Sequence, residues 1–375
     1  MSISVERLSE TGRTEREWDG WLERSSMATP FHQFEVLRVV AAEADATLHP
    51  LVGFKGEEPI GVFPVFEMNR GPLRLVKSPP EGVSIRKLGP VLLNHEKLKT
   101  RKRETQNERF VDACIEWVDE HCAPHRFMVQ TSERYPDFRP WVWNGFDVEM
   151  GATYVVDLDR DLDEIRQSFS RSVRKRVRRA EEAGCTVEIG GRAEARRIVD
   201  HIYQRFADSD IPYFDSEPEL VMRYVDALPD EQVRPYVCRL DGEYVSGVIN
   251  VRFGDVVYSW KGGARPLRDV PANELLDWHG IADAKESGAT QFDFQGALER
   301  RTSGAKAKFS PDLVPTYSLT RQHRAIQLGT LLQGQAEDVS TTLRASVVSN
   351  SVPLVALRQL GRWVGAGNRL IQSRK

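Results

Sequence analysis

Two distant stretches of this chain read as the same hairpin. LVGFKGEEPIGVF (51–63) aligns without gaps to VCRLDGEYVSGVI (237–249), so that Gly56 matches Gly242, Glu57 matches Glu243 and Gly61-Val62 matches Gly247-Val248. Each reads as a strand, a charged tight turn and a second strand. One hairpin is commonplace, but a hairpin that recurs with the same elements behind it marks a folding unit used twice. After the first come the strand-like RLVKS and KLGPVLL, a helix expected over 104–122, the strand RFMVQ and a strand pair near 146–158. The helix places Phe110, Val111, Cys114, Ile115 and Val118 on one face at helical spacing. After the second come VVYSWKGG, a helix expected over 273–287 with Asn273 as its N-cap, then TQFDFQG and VPTYSLTR. The order hairpin, β, α, β, β occurs twice.

The second copy carries an extra front end. DLDEIRQSFSRSVRKRVRRAEEAGCTVEI reads as one helix ending at the C-terminal Gly184, followed by a strand. Phe169, Val173, Val177 and Ala180 form its apolar stripe, and arginines and Lys175 cover the rest. Further helices are expected over 193–207 and 218–228. The expected fold is α/β, of the α+β kind: two tandem modules, 1–158 and 159–322, each a mixed, mostly antiparallel sheet flanked by helices. A helical or partly flexible tail, 323–375, follows.

Composition excludes several classes. With 375 residues, 40% hydrophobic and 29% charged, the chain suits two cores of a soluble protein and not a disordered or fibrous one. No stretch is apolar enough to span a bilayer. The polar N-terminus does not read as a secretory signal. Cys114, Cys122, Cys185 and Cys238 lack metal-type CxxC spacing, so free thiols in a reducing, cytoplasmic setting are expected. His121, Cys122 and His125 (HCAPH) sit close together but lack a second ligand pair, and no metal is expected. No Walker loop, GxGxxG or Ser-His-Asp pattern occurs, which argues against nucleotide hydrolysis and dinucleotide redox chemistry.

Helix, strand, further helices, hairpin, strand, helix and strand in this order resemble the GNAT acyltransferase fold. Doubled, the chain is similar to the FemAB family and its BioF2-like, CelD-type relatives. RKRVRRAEEAGCTVEI resembles that family's basic helix ending in Gly, at Arg174, Arg178 and Gly184. YSWKGGARP with NELLDWHGIADAKESGATQFDFQG resembles its strand, Leu-Leu helix and Asp-Phe-x-Gly pattern, at Asp293, Phe294 and Gly296. GAKAKFSPDLVPTY resembles its Phe-Lys-x-x-Phe segment, at Lys306 and Phe309. The resemblance covers about residues 20–320. Two departures stand out: Ala305 replaces the family's Phe, and GGARPLRDVPAN fills the place of the GNAT pyrophosphate loop.

The resemblance implies transfer of an acyl or aminoacyl group from acyl-CoA or aminoacyl-tRNA to an amine on a sugar, peptide or cell-envelope precursor. Such transfer needs a positioned nucleophile, charge stabilisation at the oxyanion and an exit for a proton. No Ser or Cys occupies a nucleophile motif, so direct transfer is expected. By resemblance, Lys306 supplies positive charge to donor phosphate or oxyanion. Tyr317 is a candidate hydrogen-bond donor or acid, and Asp293 or Glu299 a candidate for orienting the amine or accepting its proton. Arg174 and Arg178 are candidates for holding phosphates of a nucleotide-linked substrate or of tRNA. Tyr213, Tyr258, Lys261 and Gln295 complete the candidate donor- or substrate-binding set.

Each has a structural rival. Asp293 in FDF reads equally as a bridge between strands, the basic helix as a solvated face, and Tyr258 as core. Two further readings follow. One is a non-catalytic binding module for RNA or nucleotide-linked glycans. The other is peripheral membrane contact through the basic amphipathic tail around Leu354, Leu357, Arg358, Leu360, Arg362, Val364 and Arg369.

Overall fold

The repeated hairpins and the elements behind them build one sheet rather than two. The computed structural model describes residues 3–135, 137–207 and 217–322. Tyr213 and the tail 323–375 lie outside the described residues. The first half runs β1 (Ser4–Arg7), α1 (Glu15–Leu22), α2 (Phe34–Ala44), β2 (Thr47–Lys55), β3 (Glu58–Arg70), β4 (Leu73–Ser78), β5 (Val91–Leu92), α3 (Thr100–His121), β6 (Arg126–Gln130), α4 (Arg139–Trp143) and β7 (Asp147–Asp157). The second runs α5 (Leu162–Ser168), α6 (Arg171–Glu182), β8 (Thr186–Ile189), α7 (Arg192–Ala207), α8 (Pro218–Ala227), β9 (Val233–Leu240), β10 (Glu243–Phe253), β11 (Val256–Lys261), α9 (Ala272–Glu286), β12 (Gln291–Asp293), α10 (Arg300–Lys306) and β13 (Asp312–Gln322).

The hairpins β2–β3 and β9–β10 share more than a turn. Lys55 faces Glu58 across Gly56-Glu57, and Leu240 faces Glu243 across Asp241-Gly242. A bulge lies near each turn. The repeated Gly-Val has a packing reason: a Cβ on Gly61 would stand 2.8 Å from the Phe110 ring of α3, and one on Gly247 only 2.4 Å from Ile198 of α7. In both halves a helix side chain rests directly on bare backbone, which only glycine permits.

Parallel pairs also recur. β4 pairs parallel with β6, ending at Ser78 opposite Val129, and β11 pairs parallel with β12, ending at Tyr258 opposite Asp293. A parallel pair needs a crossover, supplied by α3 and α9 respectively. The last strand of each half is exchanged. The sheet order is β1-β2-β3-β4-β6-β13-β7-β12-β11-β10-β9-β8, with β5 on β3. Thus β7 lies between β12 and β13 of the second half, while β13 reaches back to β6. One apolar cluster spans both halves, and a second fills the space between α6, α9 and the β9–β12 face.

Three local expectations change. The basic segment is two helices, because Phe169 is extended and Ser170 caps α6 by accepting from Val173 N at 3.3 Å. Its stripe of Phe169, Val173, Val177 and Ala180 is buried as the spacing demands. Asn273 does not cap α9, which starts at Ala272 behind Pro271. Its side chain instead ties Ala264 O, at 2.9 Å, to Ser246 Oγ, at 2.8 Å. The connection between β12 and β13, for which the sequence suggested no helix, contains α10 and a 3-10 turn, Ala307–Phe309.

Candidate active site

The Asp-Phe-x-Gly motif makes the site by bending the backbone. Asp293 ends β12 fully buried, and its Oδ1 accepts from Gln295 N at 2.7 Å and from the Thr153 hydroxyl on β7. Gly296 N returns a bond to Thr153 Oγ1 at 2.9 Å. This clamp holds Gln295 (φ +58°) and Gly296 (φ +84°) in the left-handed region, a costly place for Gln. Their carbonyls thereby turn toward α10. Lys306, its last residue, donates to Gln295 O at 2.9 Å and to Gly296 O at 3.1 Å. An ammonium has three N–H donors, so one is left to face the cleft that Lys306 lines. Burial holds the Lys306 amine below the usual lysine range, with Asp277 and Asp293 opposing that shift.

Beneath the clamp lies a buried ion cluster. Lys87, from the loop between β4 and β5, contacts Asp293 Oδ2 and donates to Glu133 Oε2 at 2.9 Å. Burial works against the Lys87 charge, but Asp293 and Glu133 outweigh it and hold the ammonium above its ordinary range. The first half therefore props the motif of the second.

The cleft around Lys306 measures about 1500 Å³, larger than the roughly 300–1,000 Å³ of a single small-ligand pocket. The residues that line it include eight Lys or Arg and four Asp or Glu, so it favours an anionic occupant. Arg265 and Arg268 lie on the connection from β11 to α9, and Arg176 reaches in from α6.

Of the residues singled out in the sequence, Lys306, Tyr317, Lys261, Gln295 and Glu299 all line this cleft. Tyr317 packs its ring against Phe138, centroids 4.7 Å apart and tilted by 45°. Lys261 donates to Ser84 Oγ. Tyr258 is buried, its hydroxyl on Glu133 at 3.5 Å, because its strand position points into the junction between the halves. Asp293 also lies inside the wall. Arg174 and Arg178 do not line the cleft: both are exposed on α6, and Arg178 pairs with Glu182 one turn on at 3.7 Å. Arg176, between them, faces it and pairs with Glu274 of α9 at 2.8 Å.

Sequence reasoning passed over Asp277, on α9, which also lines the cleft. Burial and the neighbouring Glu274 push its carboxyl up to about 7, with Lys306 pulling the other way. The HCAPH residues do not converge. His121 stacks on Trp117, and His125 accepts from Arg74 N. Cys122 instead lies with His49 and Glu67, whose ligand atoms fall within 4.8 Å of one another. Glu67 there bonds His49 Nε2 at 2.9 Å, and burial raises the Cys122 thiol to about 12.

Residues 167–301 match a family model described as an acetyltransferase (GNAT) domain. No curated protein sequence matches the chain. Among solved structures, FemX is similar with a TM-score of 0.66 at 14% identity, covering 84% of this chain and 97% of that one. The C-terminal domain of a putative lysylphosphatidylglycerol synthetase from Agrobacterium fabrum follows at 0.55 and 13%, covering 86% and 95%. L-PGS from Bacillus licheniformis stands at 0.53 and 14%, covering 85% and 96%. The doubled element order and these likenesses give the chain a FemAB-like tandem GNAT fold, with the acetyltransferase (GNAT) domain match lying in its second half, at residues 167–301.

Proposed function

We propose that the protein is an N-acyltransferase that moves an acyl or aminoacyl group from acyl-CoA or aminoacyl-tRNA to an amine on a sugar, peptide or cell-envelope precursor. The observation that carries this reading is Lys306: a half-buried ammonium held by two carbonyls, with one donor left over a cationic cleft. A fixed charge of this kind stabilises the oxyanion of an attacked acyl carbonyl without reorganising during the reaction. The excess of Lys and Arg suits the phosphates of either donor. The volume leaves room for donor and acceptor together. Tyr317 supplies a hydroxyl at the same wall, to bond the substrate or to protonate a leaving group.

In this reading Asp293 positions rather than reacts, because Lys87, Thr153 and Gln295 already occupy its oxygens. Arg176, Arg265 and Arg268 take the phosphate-binding part first given to Arg174 and Arg178. The chemistry belongs to the second module, 159–322, and the first, 1–158, contributes the Lys87 prop and one wall of the cleft. One neighbour is titled a domain of a putative lysylphosphatidylglycerol synthetase, which adds lipid headgroups to the acceptors worth screening.

The test incubates the purified chain with acetyl-CoA, or with a pool of aminoacyl-tRNA, and a panel of amines read by mass spectrometry. A product whose formation falls about 10²–10³-fold in Lys306→Ala supports the reading. Turnover unaffected by that substitution contradicts it.

A further inference from the structure

The acidic groups of the cleft differ in how they are engaged. Glu274 is tied to Arg176 at 2.8 Å. Glu299 is engaged as well. Asp269 is exposed at the mouth on the β11–α9 connection. Asp293 is enclosed by Lys87, Thr153 and Gln295. Asp277 alone is half-buried, faces the cleft and, among the described residues, makes no hydrogen bond or ion pair. Its carboxylate is not sealed in the protein, so a ligand in the cleft can reach it. It stands on α9 with Lys306 of α10 near enough to act on its charge.

We propose that Asp277 is the general base of the transfer, taking a proton from the acceptor's ammonium. The assignment rests on the N-acyltransferase reading above. An amine acceptor arrives at neutral pH as an ammonium and cannot attack until it loses one proton. The Asp277 carboxylate takes that proton. The freed lone pair then forms the C–N bond to the donor's acyl carbon, and the oxyanion develops beside Lys306. Collapse breaks the C–S bond of a thioester, or the C–O bond of a ribose ester, with the electron pair leaving on sulfur or oxygen. The excess proton on nitrogen passes to that leaving atom, and Asp277 returns its own to solvent.

The groups facing Asp277 fit this task. Burial and Glu274 on its own helix favour the protonated form, and Lys306 from α10 favours the carboxylate. Arg176 from α6 is held on Glu274. The result is a carboxyl balanced near neutrality, where a base for ammonium deprotonation works best.

The test uses the full chain as wild type and as Asp277→Asn, with acetyl-CoA or lysyl-tRNA as donor. Two acceptors are compared: glycinamide, protonated near neutrality, and hydroxylamine, which is not. Asp277→Asn is expected to cut transfer to glycinamide about 10²–10⁴-fold, with donor Kd unchanged, and to spare most of the transfer to hydroxylamine. Equal loss with both nucleophiles, or no loss, overturns the assignment and leaves the transferase reading intact. Carbon-13 NMR of labelled aspartate, assigned by difference against Asp277→Asn, reads the carboxyl without turnover. Titration in the ordinary aspartate range also overturns the assignment. No transfer by the wild type from either donor to either nucleophile sinks the transferase reading, and the base with it.

Discussion

At the scale of single residues, the site depends on charges buried where water cannot compensate them. Lys87 sits between Glu133 and Asp293, and removing it leaves two carboxylates facing each other in the wall. Breaking a buried ion pair from one side costs about 3–5 kcal/mol. Lys87→Ala should therefore lose about that much in urea unfolding, whereas Lys97→Ala, on an exposed turn, should change stability by under about 0.5 kcal/mol. Similar losses for the two would mean the cluster is not held as described. Lys306 and Gly296 were reached in the sequence through the resemblance to the Phe-Lys-x-x-Phe and Asp-Phe-x-Gly segments, and Gln295 as a candidate binding residue. The left-handed turn that aims the Gln295 and Gly296 carbonyls was not legible. Nor was Asp277. On α9 it reads as one more polar position of a helix, and only the fold brings Lys306 near enough to act on its charge. Arg176 was hidden likewise among five other Arg and Lys residues on one short helix. Which of them faces inward is decided by the buried stripe of Val173 and Val177, not by charge.

At the scale of elements, the repeat glycines report where a helix touches the sheet. Gly53 and Gly61 lie side by side under the Phe110 ring. Gly61→Ala should cost about 1–3 kcal/mol by overpacking. In a Phe110→Ala background the same change should cost less than half as much, since the clash has gone. Equal costs in both backgrounds would mean that Phe110 does not rest on that backbone. The hairpin itself was readable from turn residues and alternation. The split of the basic segment at Phe169, and the short helix bearing Lys306, were not, because both are set by capping and by the return of the chain to β13.

At the scale of the molecule, the exchanged strands bind the halves. β7 belongs to the first half in sequence and to the second in pairing, and β13 does the reverse. Strand exchange of this sort was invisible in the sequence, since each strand's pattern is the same whichever neighbour it pairs with. Residues Met1–Arg321 accordingly form one compact unit. Calorimetry should show one transition for this part, with equal calorimetric and van't Hoff enthalpies. Two resolved transitions would mean that the modules 1–158 and 159–322 fold separately. The central claim is that an acyl donor binds the cleft against Lys306. The most direct measurement is calorimetric titration of the full chain with acetyl-CoA and with aminoacyl-tRNA, repeated on Lys306→Ala. Saturable binding of one donor, weakened at least ten-fold by the substitution, is the predicted result. Binding of neither donor, or binding indifferent to Lys306, would contradict it.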